Sequence, residues 1–189
     1  MHSKPSTSGI LAIGVLAAFT IFITWRAKAL EKELDIDTDT PALVGQSAPD
    51  FSLASLDGRT ISLADYRGKK EVVISFWASW CGPCRLEMPS LRKFYKDHEK
   101  NQNDFEFLAI SIDDERAPAE AFATSEKLGF PVLLDPGGRT ASAFGVSAIP
   151  VLFVIDRNGK VTYGHIGFEG ALEYSLAGEL GLREDTATH

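Results

Sequence analysis

The chain is predicted to fold as one α/β domain, a central mixed β-sheet flanked by helices, with a β-hairpin extension at its start and a single transmembrane helix before it. Three observations predict this. Apolar runs rich in β-branched and aromatic residues, Val72–Trp77, Phe105–Asp113 and the stretch leading into Val151–Asp156, read as buried strands. Segments with apolar residues at helical spacing lie between them, so strands and helices interleave as in layered α/β folds. An apolar, charge-free segment, Gly9–Trp25, precedes everything else.

Composition sets the outer limits. The 189 residues are 44% hydrophobic and 24% charged, enough for an ordinary core without metal or disulfide staples. A net charge of -7 argues against sequence-independent nucleic-acid binding, which needs a basic face. The two cysteines allow one internal bridge at most, which moves a redox, metal or catalytic pair ahead of a stapled secreted scaffold.

The elements follow in order. Residues 1–8 form a short tail. Residues 9–25 suit an uncleaved membrane anchor, with Trp25 placed for the interface and Arg26 and Lys28 closing the run. A cleaved signal competes, because Ala27-Lys28-Ala29 resembles a small-x-small cleavage site, but the apolar run is longer than a signal core needs. Orientation is in conflict: Arg26, Lys28 and Lys32 after the span outnumber Lys4 before it, so a strict positive-inside count places the C-terminal side in the cytoplasm.

Residues 26–48 read as an acidic linker, and residues 49–181 as the folded domain. The domain opens with alternation around Asp57-Gly58, a hairpin signal. The strand Val72–Trp77 is followed by a helix beginning at Cys81, with Leu86, Leu91, Phe94 and Tyr95 on helical spacing and Pro89 expected to kink it. A helix ending at Gly129, a short strand in "FPVLLD" and a short helix in "RTASAFGV" come next. Asn158-Gly159 then turns the last strong strand into an antiparallel edge strand, and a final helix runs from about Glu169 to Leu180. Residues 182–189 read as a flexible tail.

Both cysteines sit in Trp80-Cys81-Gly82-Pro83-Cys84, where a strand gives way to a helix. Cys81 at a helix N-terminus faces unpaired N–H groups and the positive end of the helix dipole, which favours thiolate. Cys84, one turn on, can reach the same sulfur. Pro83 falls in the first turn, where its missing N–H costs nothing, and Gly82 leaves Cys81 uncrowded. The geometry suits an attacking sulfur with a neighbour that resolves the mixed disulfide, a redox-active Cys81–Cys84 pair. Half a zinc site is the competing reading, but it lacks partners, since the four histidines are scattered. Arg85 rather than histidine follows Cys84, which excludes haem attachment. No cofactor and no metal is expected.

The stretch "FWASWCGPCRLEMPSL" resembles the thioredoxin-like family, more narrowly the membrane-anchored TlpA/ResA/DsbE type of thiol–disulfide oxidoreductase. The resemblance runs from Ala48 through the final helix. It implies a thioredoxin-like fold and a catalytic dithiol on the outer face of the bacterial cytoplasmic membrane, in the periplasm or its equivalent. It further implies oxidised clients among apocytochromes c or copper-chaperone and oxidase-assembly proteins, with electrons arriving from a membrane thiol transporter. A monomer is expected. Ile149-Pro150 resembles the cis-proline of that fold, which lies against the dithiol and holds substrate backbone. Trp80 and Pro83 are then site-wall residues, and Glu87 is the acidic group that manages the protons of the dithiol. One departure sharpens that role: Ser75 stands where cytosolic thioredoxins carry a buried aspartate.

Two other functions compete. "APDFSL" also resembles the opening of peroxiredoxins, but those enzymes place threonine three residues before the attacking cysteine, and here that residue is Ala78. A non-catalytic, membrane-bound assembly factor would keep the fold and dispense with the dithiol.

Overall fold

The computed structural model describes residues 22–24, 26, 41–101, 103–168, 170 and 172–182. Nearly all of the expected span Gly9–Trp25, most of the linker and the tail beyond Leu182 lie outside them; of that region Phe22–Thr24 and Arg26 are described, as helix. Among the described residues no helix is long and apolar enough to cross a membrane.

Among the described residues seven strands form one sheet in the order β2-β1-β5-β4-β3-β6-β7. They are β1 (Ser52–Ser55), β2 (Thr60–Ser62), β3 (Glu71–Trp77), β4 (Phe105–Ser111), β5 (Val132–Leu134), β6 (Val151–Ile155) and β7 (Val161–Ile166). The α-helices described within this domain are α1 (Gly82–Asp97), α2 (Arg116–Glu126), α3 (Arg139–Ala143) and α4 (Leu172–Glu179). The centre, β3-β4-β5, is parallel, and both edges are antiparallel. The expected mixed sheet is therefore present. The opening hairpin pairs Leu53 with Ile61, and Gly58 at its turn has φ +87°, a conformation glycine adopts without steric cost.

β3 is the spine of the molecule, and alternation along it feeds two cores. Val73 and Trp77 pack with Met88, Leu91 and Phe94 of α1 and with Leu172 and Leu176 of α4. Val72, Ile74 and Phe76 face the other way, toward Phe51, Leu63, Ala141 and Phe144. Helix α1 buries Cys84, Glu87, Met88, Leu91 and Phe94, one stripe at i, i+3, i+4, i+7 and i+10. Each fully buried aliphatic or aromatic side chain of this kind contributes about 1.5–3 kcal/mol.

Pro89 lies inside α1, which continues past it as one element. Three expectations need correction. Leu86 is 67% exposed, because the stripe set by Cys84, Met88 and Leu91 leaves it on the outer face. Helix α2 ends before Gly129, at Lys127, whose backbone is left-handed (φ 53°) and whose N–H donates to Thr124 O. The C-terminal part of the expected linker is not a tether. Pro41 and Ala48 are buried, Gly45 donates to Val161 O and Ala48 to Gly159 O (both 2.8 Å), and Ser47 bridges Lys160. A Cβ on Gly164 would come within 2.9 Å of the Pro41 ring, so this glycine makes the close approach possible. The folded unit thus begins by Pro41, and at its other end Leu182 still packs on the core.

Candidate active site

Strand β3 ends at Trp77, and a turn over Ala78–Trp80 delivers Cys81 to the N-cap of α1. Cys81 and Cys84 are joined, with S–S 2.06 Å, so the pair is in its oxidised form. The backbone N–H of Cys84 donates to Cys81 Sγ at 3.2 Å. One of the helix's orphan donors is therefore aimed at the sulfur that would carry negative charge after reduction. Pro83 lies in the exposed first turn, as expected. A Cβ on Gly82 would meet nothing within 4 Å, so this position is sterically open rather than obligatory for glycine.

Cys81 Sγ lies 3.8 Å from the carbonyl oxygen of Ile149. The Ile149–Pro150 peptide is cis, and Gly167 N–H donates to the Pro150 carbonyl at 2.8 Å, tying this loop to the end of β7. Chain segments far apart in sequence thus converge on one sulfur. Cys84 is fully buried, while Cys81 keeps only 5% of its surface exposed. That is a narrower opening than the sequence suggests, because the sulfur is pressed between the helix N-terminus and the Ile149 carbonyl. Trp80, 68% exposed, projects beside it as a free-standing indole. On the far side of the motif the Arg85 guanidinium sits 5.7 Å from the centre of the Phe122 ring, which in turn packs at 5.1 Å on Trp77.

Two carboxyl groups near the motif are buried, Glu87 on α1 and Asp113 just beyond β4. Glu87 is 1% exposed, and neither of its carboxyl oxygens has a hydrogen-bond partner among the described residues. Burial alone pushes its pKa up to about 8. At neutral pH in the oxidised protein Glu87 is therefore mostly a neutral acid. Asp113, just beyond β4, is 3% exposed and fully engaged. Its Oδ1 accepts from the Ser79 hydroxyl at 2.7 Å, and its Oδ2 accepts from Ser79 N–H at 2.9 Å and from the Ser111 hydroxyl at 2.7 Å.

Reading the sequence alone misses Asp113 and Ser79. The available signal was two polar residues alternating at the end of an apolar strand, Ser111-Ile112-Asp113. Ser75 and Trp77 add two further buried polar atoms without partners among the described residues, Oγ and Nε1. Among the described residues no three His, Cys, Asp or Glu side chains cluster as metal ligands.

The arrangement can pass two electrons between a dithiol and a disulfide, with one sulfur reachable, one enclosed, and an acid nearby. Comparison with known proteins agrees. A family model described as the AhpC/TSA family matches residues 44–164. The thiol-disulfide oxidoreductase ResA of Geobacillus thermodenitrificans is 41% identical over 122 residues, covering 65% of this chain and 68% of that one. A Chlorobium tepidum protein described as a candidate thiol:disulfide interchange protein DsbE superposes with TM-score 0.66 at 36% identity, over 72% of this chain and 94% of that one. StoA from Bacillus subtilis superposes with TM-score 0.60 at 26% identity, over 71% and 97% respectively.

Proposed function

The chain belongs to the AhpC/TSA family and is a thiol–disulfide oxidoreductase of the ResA and DsbE type; we propose that it works as a membrane-tethered reductant of extracytoplasmic protein disulfides. The observation that carries the proposal is the asymmetry of the pair: Cys81 at the helix N-cap with a narrow opening to solvent and a helix N–H on its sulfur, Cys84 fully enclosed.

Cys81 thiolate attacks one sulfur of a client disulfide; a new S–S bond forms, the client's bond breaks, and its released thiolate takes up a proton. Cys84 then loses its proton, attacks the Cys81 sulfur and expels the client's second thiolate. Two electrons have moved to the client, and the Cys81–Cys84 disulfide seen here is the product. Cys84 is enclosed, so its proton needs a buried acceptor, and Glu87, one turn on along the same face of α1, supplies it. A carboxyl held neutral in the oxidised form is the state expected once that proton has arrived. An external dithiol reverses the sequence: it attacks Cys81, Cys84 leaves as thiolate, and Glu87 protonates it. Ile149, Pro150, Trp80 and Pro83 frame the client chain.

The tether (residues 9–25), placement outside the cytoplasmic membrane, apocytochrome c or copper-chaperone and oxidase-assembly clients, a membrane thiol transporter as donor and a monomeric state are the finer parts of this proposal. They are supported by the apolar N-terminal segment and by the resemblance to tethered family members. A dithiol of this kind is most useful where no glutathione pool exists. The adduct trapped in cells by the Cys84→Ser protein tests them: an extracytoplasmic cysteine-rich or haem-attachment protein is expected on Cys81. Recovery of cytosolic proteins alone would overturn both location and role. Cys81→Ser should reduce protein disulfides no faster than the uncatalysed background.

The family match also covers the "APDFSL" opening, which keeps a peroxidase in view. Ala78, fully buried, offers no hydroxyl to a peroxide at the position where peroxiredoxins carry threonine. Failure of the Cys84→Ser protein to form sulfenic acid faster than a free thiol excludes it.

A further inference from the structure

The turn that carries Trp80 and Cys81 is held by a carboxylate from the neighbouring strand. Between the end of β3 and the start of α1 the described backbone bonds are few: Cys81 N–H donates to Ala78 O at 3.1 Å, and Ile112 N–H donates to Trp77 O at 2.9 Å. Ser79, at the centre of the turn, is fastened instead by its side chain and its own N–H, both to Asp113. Ser111, opposite Trp77 in the parallel β3–β4 register, completes the clamp: its hydroxyl donates to Asp113 Oδ2, and Asp113 N–H donates back to Ser111 Oγ at 3.1 Å.

A buried carboxylate is costly unless its lone pairs are met, and here every donor comes from a residue adjoining the turn. If its only task were to finish β4, the Ser111 hydroxyl and the strand's own backbone would suffice. Two of its three incoming bonds reach across to a residue two positions before the reacting cysteine.

We infer that Asp113 is a positioning residue for thiol–disulfide exchange: through Ser79 it fixes the turn so that Cys81 Sγ meets the Cys84 N–H and Trp80 stands out beside it. Without the clamp the turn relaxes, the N-cap bond to Cys81 Sγ lengthens, and the thiolate loses part of its stabilisation. Asp113 itself does not touch the client. This rests on the dithiol being the reacting centre, which is tested separately by reduction of a small aromatic disulfide by the wild-type protein and its loss in Cys81→Ser.

The experiment is a pH titration of Cys81 by iodoacetamide alkylation in reduced wild type, Asp113→Ala, Asp113→Asn, Ser79→Ala and the Ser79→Ala/Asp113→Ala double variant, with far-UV circular dichroism recording folding. Asp113→Ala should raise the Cys81 midpoint by about one pH unit, cutting alkylation below that midpoint about tenfold. Ser79→Ala should move it in the same direction by less, and the double variant should add almost nothing to Asp113→Ala, because both act through one contact. Folded single variants that keep the wild-type midpoint, or effects that simply add, would overturn the inference. Should Asp113→Ala fail to fold, Ser79→Ala, Asp113→Asn and the Ser79→Ala/Asp113→Asn double variant carry the same two readings.

Discussion

Glu87 and Asp113 are both carboxyl groups and both almost wholly buried, one on the helix that carries the dithiol and the other bonded to the turn before it. They could hardly be used more differently. Asp113 accepts three hydrogen bonds and holds other groups still. Glu87 has no partner for either oxygen among the described residues, and its proton is held by burial alone. The satisfied carboxylate is architecture. The orphaned one is a proton site, since a group without fixed partners can change charge without breaking a network.

Experiment can separate the two roles. The largest effect is expected at Glu87 in kinetics: Glu87→Gln, similar in shape but unable to take a proton, should slow turnover about a hundredfold. Stopped-flow measurement of mixed-disulfide formation and resolution should place the loss in the step where Cys84 attacks or leaves. Initial attack by Cys81 should be nearly unchanged.

The second effect is on stability. The Glu87 pKa is raised in the folded oxidised protein from 4.5 to about 8. An acid raised in this way contributes its full stabilisation below its unfolded value and loses that contribution as pH climbs to the folded value. The stability of the oxidised protein should therefore fall between about pH 4.5 and 8, by up to about 5 kcal/mol in total, since each pH unit between the two values is worth about 1.36 kcal/mol. Glu87→Gln should remove this component, which urea unfolding at several pH values would show. An equal slope in both proteins would mean that Glu87 titrates as an ordinary carboxyl.

Asp113→Ala should cost less, about 1–3 kcal/mol, the penalty for leaving buried donors unpaired. The smallest effect is predicted at Ser75, a buried hydroxyl without a partner among the described residues. Ser75→Ala should lie within about 0.5 kcal/mol of wild type or be slightly stabilising, because no hydrogen bond is lost. Thermal melts of the two variants side by side give both numbers.

Sequence and structure agree where the physics is local. The dithiol, its place at a helix N-terminus and Pro83 in the first turn were legible because strand end, turn and helix start are contiguous. The cis-proline was legible only through the family resemblance. Glu87 could be placed on the face of Cys84 by spacing, but its lack of partners depends on what the rest of the core offers. Asp113 was invisible because its partner Ser79 lies 34 residues away, and only the β3–β4 register brings them together. Leu86 misled because apolar residues at helical spacing do not announce which face the sheet covers. Residues 41–48 misled for the opposite reason: their composition is loop-like, while their backbone groups pair with the start of β7.

The decisive observation is a carbon-13 NMR titration of the Glu87 carboxyl in the oxidised protein. A midpoint near pH 8 is expected. A midpoint near 4.5, the ordinary value, would show a solvated, ionised side chain and would leave Cys84 without its proton partner.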